Sequence, residues 1–152
     1  MKQARTLYDE KAGYALSMYV AGVSVECMLR AFKMLRDTTF DERHDLRRLF
    51  KASGMLSVDP VVLRARGLTG SQVQHHHREL QAALTIVYDL WSNDYRFASE
   101  DRLRAHLKST KLDRGVKGDI LKVNALALLN AAETFHDMGV YQWISSKKSD
   151  RS

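Results

Sequence analysis

Cysteine is nearly missing: Cys27 stands alone in 152 residues, so no internal disulfide can form and a reduced, cytoplasmic setting follows. Set in an apolar stretch, it reads as a buried thiol rather than a nucleophile, because apolar surroundings raise a thiol's pKa. Proline is as scarce, with only Pro60, and glycine numbers eight. Alternating apolar–polar strand patterns are missing too, so the chain points to helices throughout. The longest charge-free run, Ala12 to Val25, spans fourteen residues. That is short of the roughly 20 that cross a bilayer, and no membrane partner is expected. Met1-Lys2-Gln3-Ala4-Arg5 opens the chain without a secretory signal pattern. There is no Walker-type phosphate loop, no serine elbow and no pair of carboxylates on a concave face.

What is present fits one domain. A chain of this length buries roughly 68–70% of its unfolded surface. A hydrophobic share of 45% and a charged share of 28% are ordinary for a globular chain. The net charge of +6 and a pI near 9.5 favour an acidic partner such as RNA, DNA or a nucleotide. An excess of Arg and Lys on solvated helix faces is the plain alternative.

Gln3 to Ala12 reads as a short leading helix. From Tyr14 to Leu35 apolar residues occur nearly all round, the mark of a central helix packed on several sides. Ser17, Ala21 and Ser24 make a small-residue stripe on it for a close neighbour. Glu26 sits in its middle, and a buried acid needs a partner. Arg30, one turn on, supplies it in the favoured acid-before-base order. Thr39-Phe40-Asp41-Glu42 has capping-box spacing and starts the next helix, which Gly54 ends. Asp59-Pro60 opens a short helix to Gly67. Ser71-Gln72-Val73-Gln74 offers another capping box, and Val73, His77, Leu80, Leu84, Val87 and Trp91 form one stripe behind it. Ser99, with Glu100 and Asp101 behind it, starts a helix to about Ser109. Asp119 caps the last long helix, with Leu121, Ala125, Leu128, Ala132 and Phe135 as its stripe. Gly139 ends that helix, and Tyr141, Trp143 and Ile144 fold back. The expectation is a single all-α antiparallel bundle of about five helices over residues 1–144, with a flexible polar tail over 145–152.

Tyr14-Ala…Ala21-Gly-Val-Ser-Val-Glu26-Cys-Met-Leu-Arg30-Ala, followed by His44-Asp45-Leu46 and Ala52-Ser-Gly54, resembles the HEPN domain, a family of helical bundles. The resemblance covers about Gly13 to Gly139. It implies a HEPN-like fold and a homodimer through the long helices. HEPN ribonucleases carry an Arg and a His with four to six residues between them. Arg binds the scissile phosphate, and His moves the proton of the attacking 2′-hydroxyl. The nearest equivalent here is Arg102 to His106, with three intervening residues, which still puts both on one helix face. Non-catalytic members carry an Arg-aromatic dipeptide after the third long helix, and Arg96-Phe97 stands in the matching place. Many HEPN proteins belong to toxin–antitoxin or defence systems, and a small nucleotidyltransferase is a partner the resemblance allows.

The candidate residues divide by chemistry. Arg102 and His106 are the catalytic pair if the chain is a metal-independent endoribonuclease. Arg96, Arg104, Arg114 and Lys117 are the candidate nucleic-acid ligands. The last two flank Gly115 and Gly118 before a helix N-terminus, where backbone amides can cradle phosphate. Asp119 would compete for the same amides, so a plain interhelical turn is the stronger reading there. Glu26, Arg30, His44 and Asp45 read as a structural polar core. His44 and Asp45, in the first turns of their helix, point about 100° apart and suit capping and packing better than acid–base work. His75-His76-His77 fan out round a helix and cannot converge on one ion, so neither a metal nor a cofactor is expected.

Two functional readings remain. One is a HEPN-like domain associated with RNA or nucleotide binding, with a degenerate ribonuclease motif. The other is a non-catalytic helical interaction module with no nucleic-acid role. The residues favour the first for association and disfavour it for catalysis.

Overall fold

Leu121, Ala125, Leu128, Ala132 and Phe135 are all fully buried, and they line one face of the longest helix of the bundle. The computed structural model describes residues 1–11, 13–35, 37–38, 44–55 and 69–149. Within them lie six α-helices and no strand: α1 (Lys2–Asp9), α2 (Tyr14–Met34), α3 (Leu46–Ser53), α4 (Gly70–Leu90), α5 (Glu100–Ser109) and α6 (Ile120–Ser149). A short 3-10 helix, Asn93–Phe97, joins α4 to α5. The result is an antiparallel helical bundle. Helices α2 and α4 pack on α6, while α1 and α3 pack on α2. The helix expected between Asp59 and Gly67 lies outside the described residues.

Local sequence accounts for most of this. Leu80, Leu84, Val87 and Trp91 bury the stripe of α4, while Val73 and His77 are half-buried. The small stripe of α2 admits α1: buried Ser17 donates to the Ala4 carbonyl at 2.8 Å. At the other side of α1, Arg5 forms a two-pronged pair with Glu133 of α6, with Nε at 2.9 Å from Oε1. Ser99 caps α5 as expected, accepting from the Arg102 N–H. Gly54 ends α3 in the left-handed conformation at φ 61°.

Several boundaries differ from the sequence reading. Helix α3 starts at Leu46, so His44 and Asp45 precede it; Asp45 is its N-cap and accepts from the Arg48 N–H at 3.1 Å. Exposed Asp45 is therefore a cap and not part of a polar core. The capping box of α4 is Thr69 with Gln72, two residues before the expected one, since Thr69 can exchange hydrogen bonds with the Gln72 amide and backbone. Gly139 does not end α6. The helix continues to Ser149, and residues 145–149 belong to it. Gly139 serves packing instead: a Cβ there would come within 3.0 Å of the Met28 side chain. Trp143, further along the same helix, meets Phe32 edge-on with ring centroids 5.4 Å apart.

Helix α2 is central but not wrapped on all sides. By length and composition it could cross a membrane, and half of its most apolar stretch is buried inside the bundle. Its outer side carries Leu16, Val20, Val23, Cys27 and Met34, spaced four, three, four and seven apart, and each of them is exposed or half-exposed. Cys27 is thus exposed, contrary to the buried thiol expected. Apolar residues on every side did not mean burial on every side.

Two contacts on the inner side fix the bundle. Glu26, whose side chain is 7% exposed, accepts from Arg30 Nε at 2.7 Å and meets His44 Nδ1 at 2.9 and 3.0 Å through its two oxygens. Against Gly22 lies the Trp91 indole, whose N–H donates to the Tyr19 carbonyl at 3.2 Å. A Cβ at Gly22 would stand 2.0 Å from Trp91 Cδ1.

Gly22→Ala should therefore lower stability by about 1–3 kcal/mol through overpacking, although alanine is the better helix former. Urea unfolding measures it, and an unchanged or raised midpoint would refute this packing. Glu26→Ala should cost about 2–3 kcal/mol in the same assay, because it strips the carboxylate from two polar groups. Asp101→Ala, whose side chain is 97% exposed, should change little.

Candidate functional site

Where α4 gives out at Leu90, the chain turns through Trp91 and Ser92 into the 3-10 helix and then into α5. A cleft of about 390 Å³ opens at this junction. Ser92 and Asp94 edge it on one side, Tyr95 and Leu103 form its floor, and Phe97, Arg102 and His106 stand around it. Arg102 and His106, a turn apart on α5, do share one face and both line the cleft. Phe97 is 73% exposed, the largest value among the exposed apolar side chains of the described residues. The Arg96 guanidinium lies over its ring, 4.4 Å from the centroid, a cation–π contact.

The floor fixes the chemistry available. Tyr95 is buried, and burial pushes its phenol up to about 12, so it stays neutral and protonated near pH 7. Its ring meets the His106 ring edge-on at 6.1 Å, which limits how the imidazole can turn. Among the described residues the Arg102 guanidinium has no carboxylate partner. An anion entering the cleft meets a guanidinium, an imidazole and an aromatic face, with the Asp94 carboxylate as the one opposing charge among the lining residues.

The other sequence candidates are not gathered here. Arg104 points to the start of α6 and is committed to carboxylates: 3.2 Å to Glu100, 3.3 Å to Asp101 and 3.2 Å to Asp119. Its hydrogen bond to Asp119 comes first among the causes that raise its pKa above the ordinary arginine value. Arg114 and Lys117 are exposed in the turn between α5 and α6 and do not line the cleft. The amides that could have cradled a phosphate there are taken, since Asp119 accepts from the Leu121 N–H at 2.9 Å and the Lys122 N–H at 3.4 Å. Gly115 and Gly118, both at positive φ, shape that turn, and Asn124 ties it down through the Leu112 carbonyl.

Glu26, Arg30 and His44 do come together, as a carboxylate bracketed by two nitrogen donors. His44 also lines a second, smaller cleft of about 290 Å³ beside Arg47 and Tyr88, which sequence reasoning missed. The signal for it is long-range: Tyr88 donates to the Leu46 carbonyl at 3.2 Å across 42 positions. His75 and His76 both reach Glu79, at 3.4 and 3.7 Å, and His77 is half-buried with Nε2 unpartnered among the described residues. No group of three or more metal-ligating side chains occurs among the described residues.

No protein-family model, no curated protein and no solved structure matches this chain.

The Asp119–Arg104 contact gives a pH test. Arg104, through its hydrogen bond, holds the Asp119 carboxyl below the usual carboxylate range, with the two helix N–H groups adding to it. A depressed folded pKa stabilises above the unfolded value of about 4 and is lost as pH falls through the lower folded value. Asp119→Asn keeps a helix cap but removes the charge. Its thermal midpoint should sit a few degrees below wild type near neutral pH, and the gap should close as the pH falls through the lowered folded value. A gap that persists in acid would mean the charge is not what matters.

Proposed function

We propose that this chain is a HEPN-like helical bundle that associates with single-stranded RNA or a nucleotide through the cleft at the α4–α5 junction. One observation carries the reading: the cleft sets solvent-exposed Phe97 beside Arg102 and His106. Proteins that hold unpaired bases combine an aromatic face for stacking with cationic groups for phosphate, and the stacking is worth about 1–3 kcal/mol per base. Phe97 supplies the face, Arg102 and Arg96 the phosphate contacts, and His106 an imidazole that can exchange a proton with the ligand. The net charge of +6 is in keeping with an anionic ligand.

Association is the core of the proposal, and cleavage is a further step. Arg102 and His106 supply a phosphate ligand and a base, but a 2′-hydroxyl attack also needs a proton donor for the leaving oxygen. In HEPN ribonucleases a second motif from a dimeric partner shares the site. We therefore place a homodimer, and a nucleotidyltransferase partner, within the proposal. A specific observation also favours a second reading, a helical interaction module: the apolar stripe on α2 in which Leu16, Cys27 and Met34 are exposed and Val20 and Val23 half-buried.

Fluorescence anisotropy with a labelled single-stranded RNA tests the first reading. Affinity should fall steeply from about 50 to about 200 mM salt as phosphate contacts release counterions. Phe97→Ala and Arg102→Ala should each weaken binding by about tenfold. A flat salt response, or binding indifferent to both substitutions, would sink the cleft as the site. Incubating the same RNA without metal, with wild type and with an Arg102→Ala/His106→Ala double variant, then separates binding from cleavage. RNA cut by the wild type alone would establish a metal-independent ribonuclease.

A further inference from the structure

Ser92, at the edge of the cleft at the α4–α5 junction, has a second cleft beside it. Ser92 lines both that cleft and the second one, of about 290 Å³, so the two share the residue where the chain leaves α4. The second cleft is bounded by His44, Asp45 and Arg47 at the start of α3 and by Tyr88 and Asn93 on the far side. Arg47 is exposed, and its guanidinium lies over the Tyr88 ring at 5.3 Å. Among the described residues it meets no carboxylate. Asp45, the one acid on this cleft wall, spends an oxygen on capping α3. Tyr88 itself is pinned by its hydrogen bond to the Leu46 carbonyl, so the ring under Arg47 is a fixed support.

His44 adds a second polar group with a defined orientation. Its Nδ1 faces both oxygens of the Glu26 carboxylate, which can only accept, so the Nδ1 proton lies toward Glu26. Nε2 of that neutral imidazole is then an acceptor, on a side chain that is 46% exposed, and it suits a ribose hydroxyl rather than a phosphate. Ser92, at the junction, accepts from the Asp94 N–H at 3.3 Å, and among the described residues its hydroxyl donates to nothing. Donors suited to an extended anion therefore run from Arg102, beside Phe97, through the Ser92 hydroxyl to Arg47, with His44 Nε2 an acceptor next to them.

We propose that the two clefts are one groove for a single-stranded RNA segment longer than one nucleotide. One base stacks at Phe97 with its phosphate near Arg102, and the backbone phosphate of the adjoining nucleotide reaches Arg47. This rests on the cleft at Phe97 being a nucleotide site, and it adds both a second subsite and the preference for a polymer over a mononucleotide. A repeating phosphate backbone is the ligand whose charges are spaced along a line, which a groove with a guanidinium at each end would select.

The test compares an adenosine monophosphate with a single-stranded RNA of about eight nucleotides, a length within the usual span of single-strand binding sites. Binding to wild type, Arg47→Ala, Arg47→Lys and Phe97→Ala is measured by calorimetry. Arg47→Ala should weaken the RNA about fivefold and flatten the salt slope by about one, while leaving the mononucleotide unchanged. Arg47→Lys should restore part of the RNA affinity, and Phe97→Ala should weaken both ligands. If Phe97→Ala weakens the RNA but Arg47→Ala does not, the site is a single cleft and the groove is refuted. If Arg47→Ala weakens the mononucleotide as much as the RNA, Arg47 belongs to the first subsite and the extension is equally refuted. If neither ligand binds the wild type, the cleft reading itself fails and the groove falls with it. Because Arg47 is exposed, its substitution leaves the core intact, and an unchanged unfolding midpoint checks this.

Discussion

The bundle is organised around a buried carboxylate. Glu26 sits on the inner side of the central helix, where an unmatched charge would cost several kcal/mol. Two groups offset that cost from different distances along the chain. Arg30 comes from the next turn of the same helix, and His44 from the segment that enters α3. The first contact is nearly automatic for an acid and a base four apart on a helix. The second is a tertiary constraint, because it draws the start of α3 onto α2. Asp45 follows immediately as the cap, and Arg47 is then carried to the rim of the smaller cleft. A charge inside the core thus decides where a charge outside it stands.

The opposite wall is placed by shape instead. Gly22 lets the Trp91 indole lie directly on the backbone of α2, and the indole N–H closes the contact on the Tyr19 carbonyl. That fixes the point where α4 stops and the chain turns toward α5. Ser92 is the next residue, and it lines both clefts. A site held by a close-packed indole and a bracketed carboxylate is preorganised, so ligand binding pays little to order its walls.

The sequence made the helices legible wherever one face repeated. The stripes of α4 and α6 and the Ser99 cap of α5 are local patterns, and local patterns survive in one dimension. Glu26 and Arg30 were legible for the same reason. What escaped was everything decided across the chain. The start of α3 is set by His44 reaching Glu26, eighteen positions away, and the capping-box spacing at Thr39 carries no trace of that. Gly139 looks like a helix terminator, yet it is a flat place for Met28 to rest. Cys27 lies in apolar company and still faces outward, because the spacing Leu16, Val20, Val23, Cys27 and Met34 describes a face without saying whether anything covers it. Of the site, Arg102 and His106 were visible as a helical pair, whereas Arg47 depends on its meeting with Tyr88 and has no signature of its own.

The arginines show how a basic composition becomes a surface with direction. Arg5, Arg30 and Arg104 each face a carboxylate, Glu133, Glu26 and Asp119 in turn, and their charge is spent inside the protein. Arg47 and Arg96 lie instead over the rings of Tyr88 and Phe97. The two arrangements differ in what they leave available. A carboxylate neutralises a guanidinium and occupies its donors, while an aromatic face orients the planar group and leaves its edge N–H donors open. A guanidinium resting on a ring is therefore both held in place and still able to bind an anion. Here each such guanidinium stands by one of two clefts that share Ser92 as a lining residue, with Arg102 lining the larger. That arrangement, more than the net charge, is what the proposed phosphate-backbone site rests on.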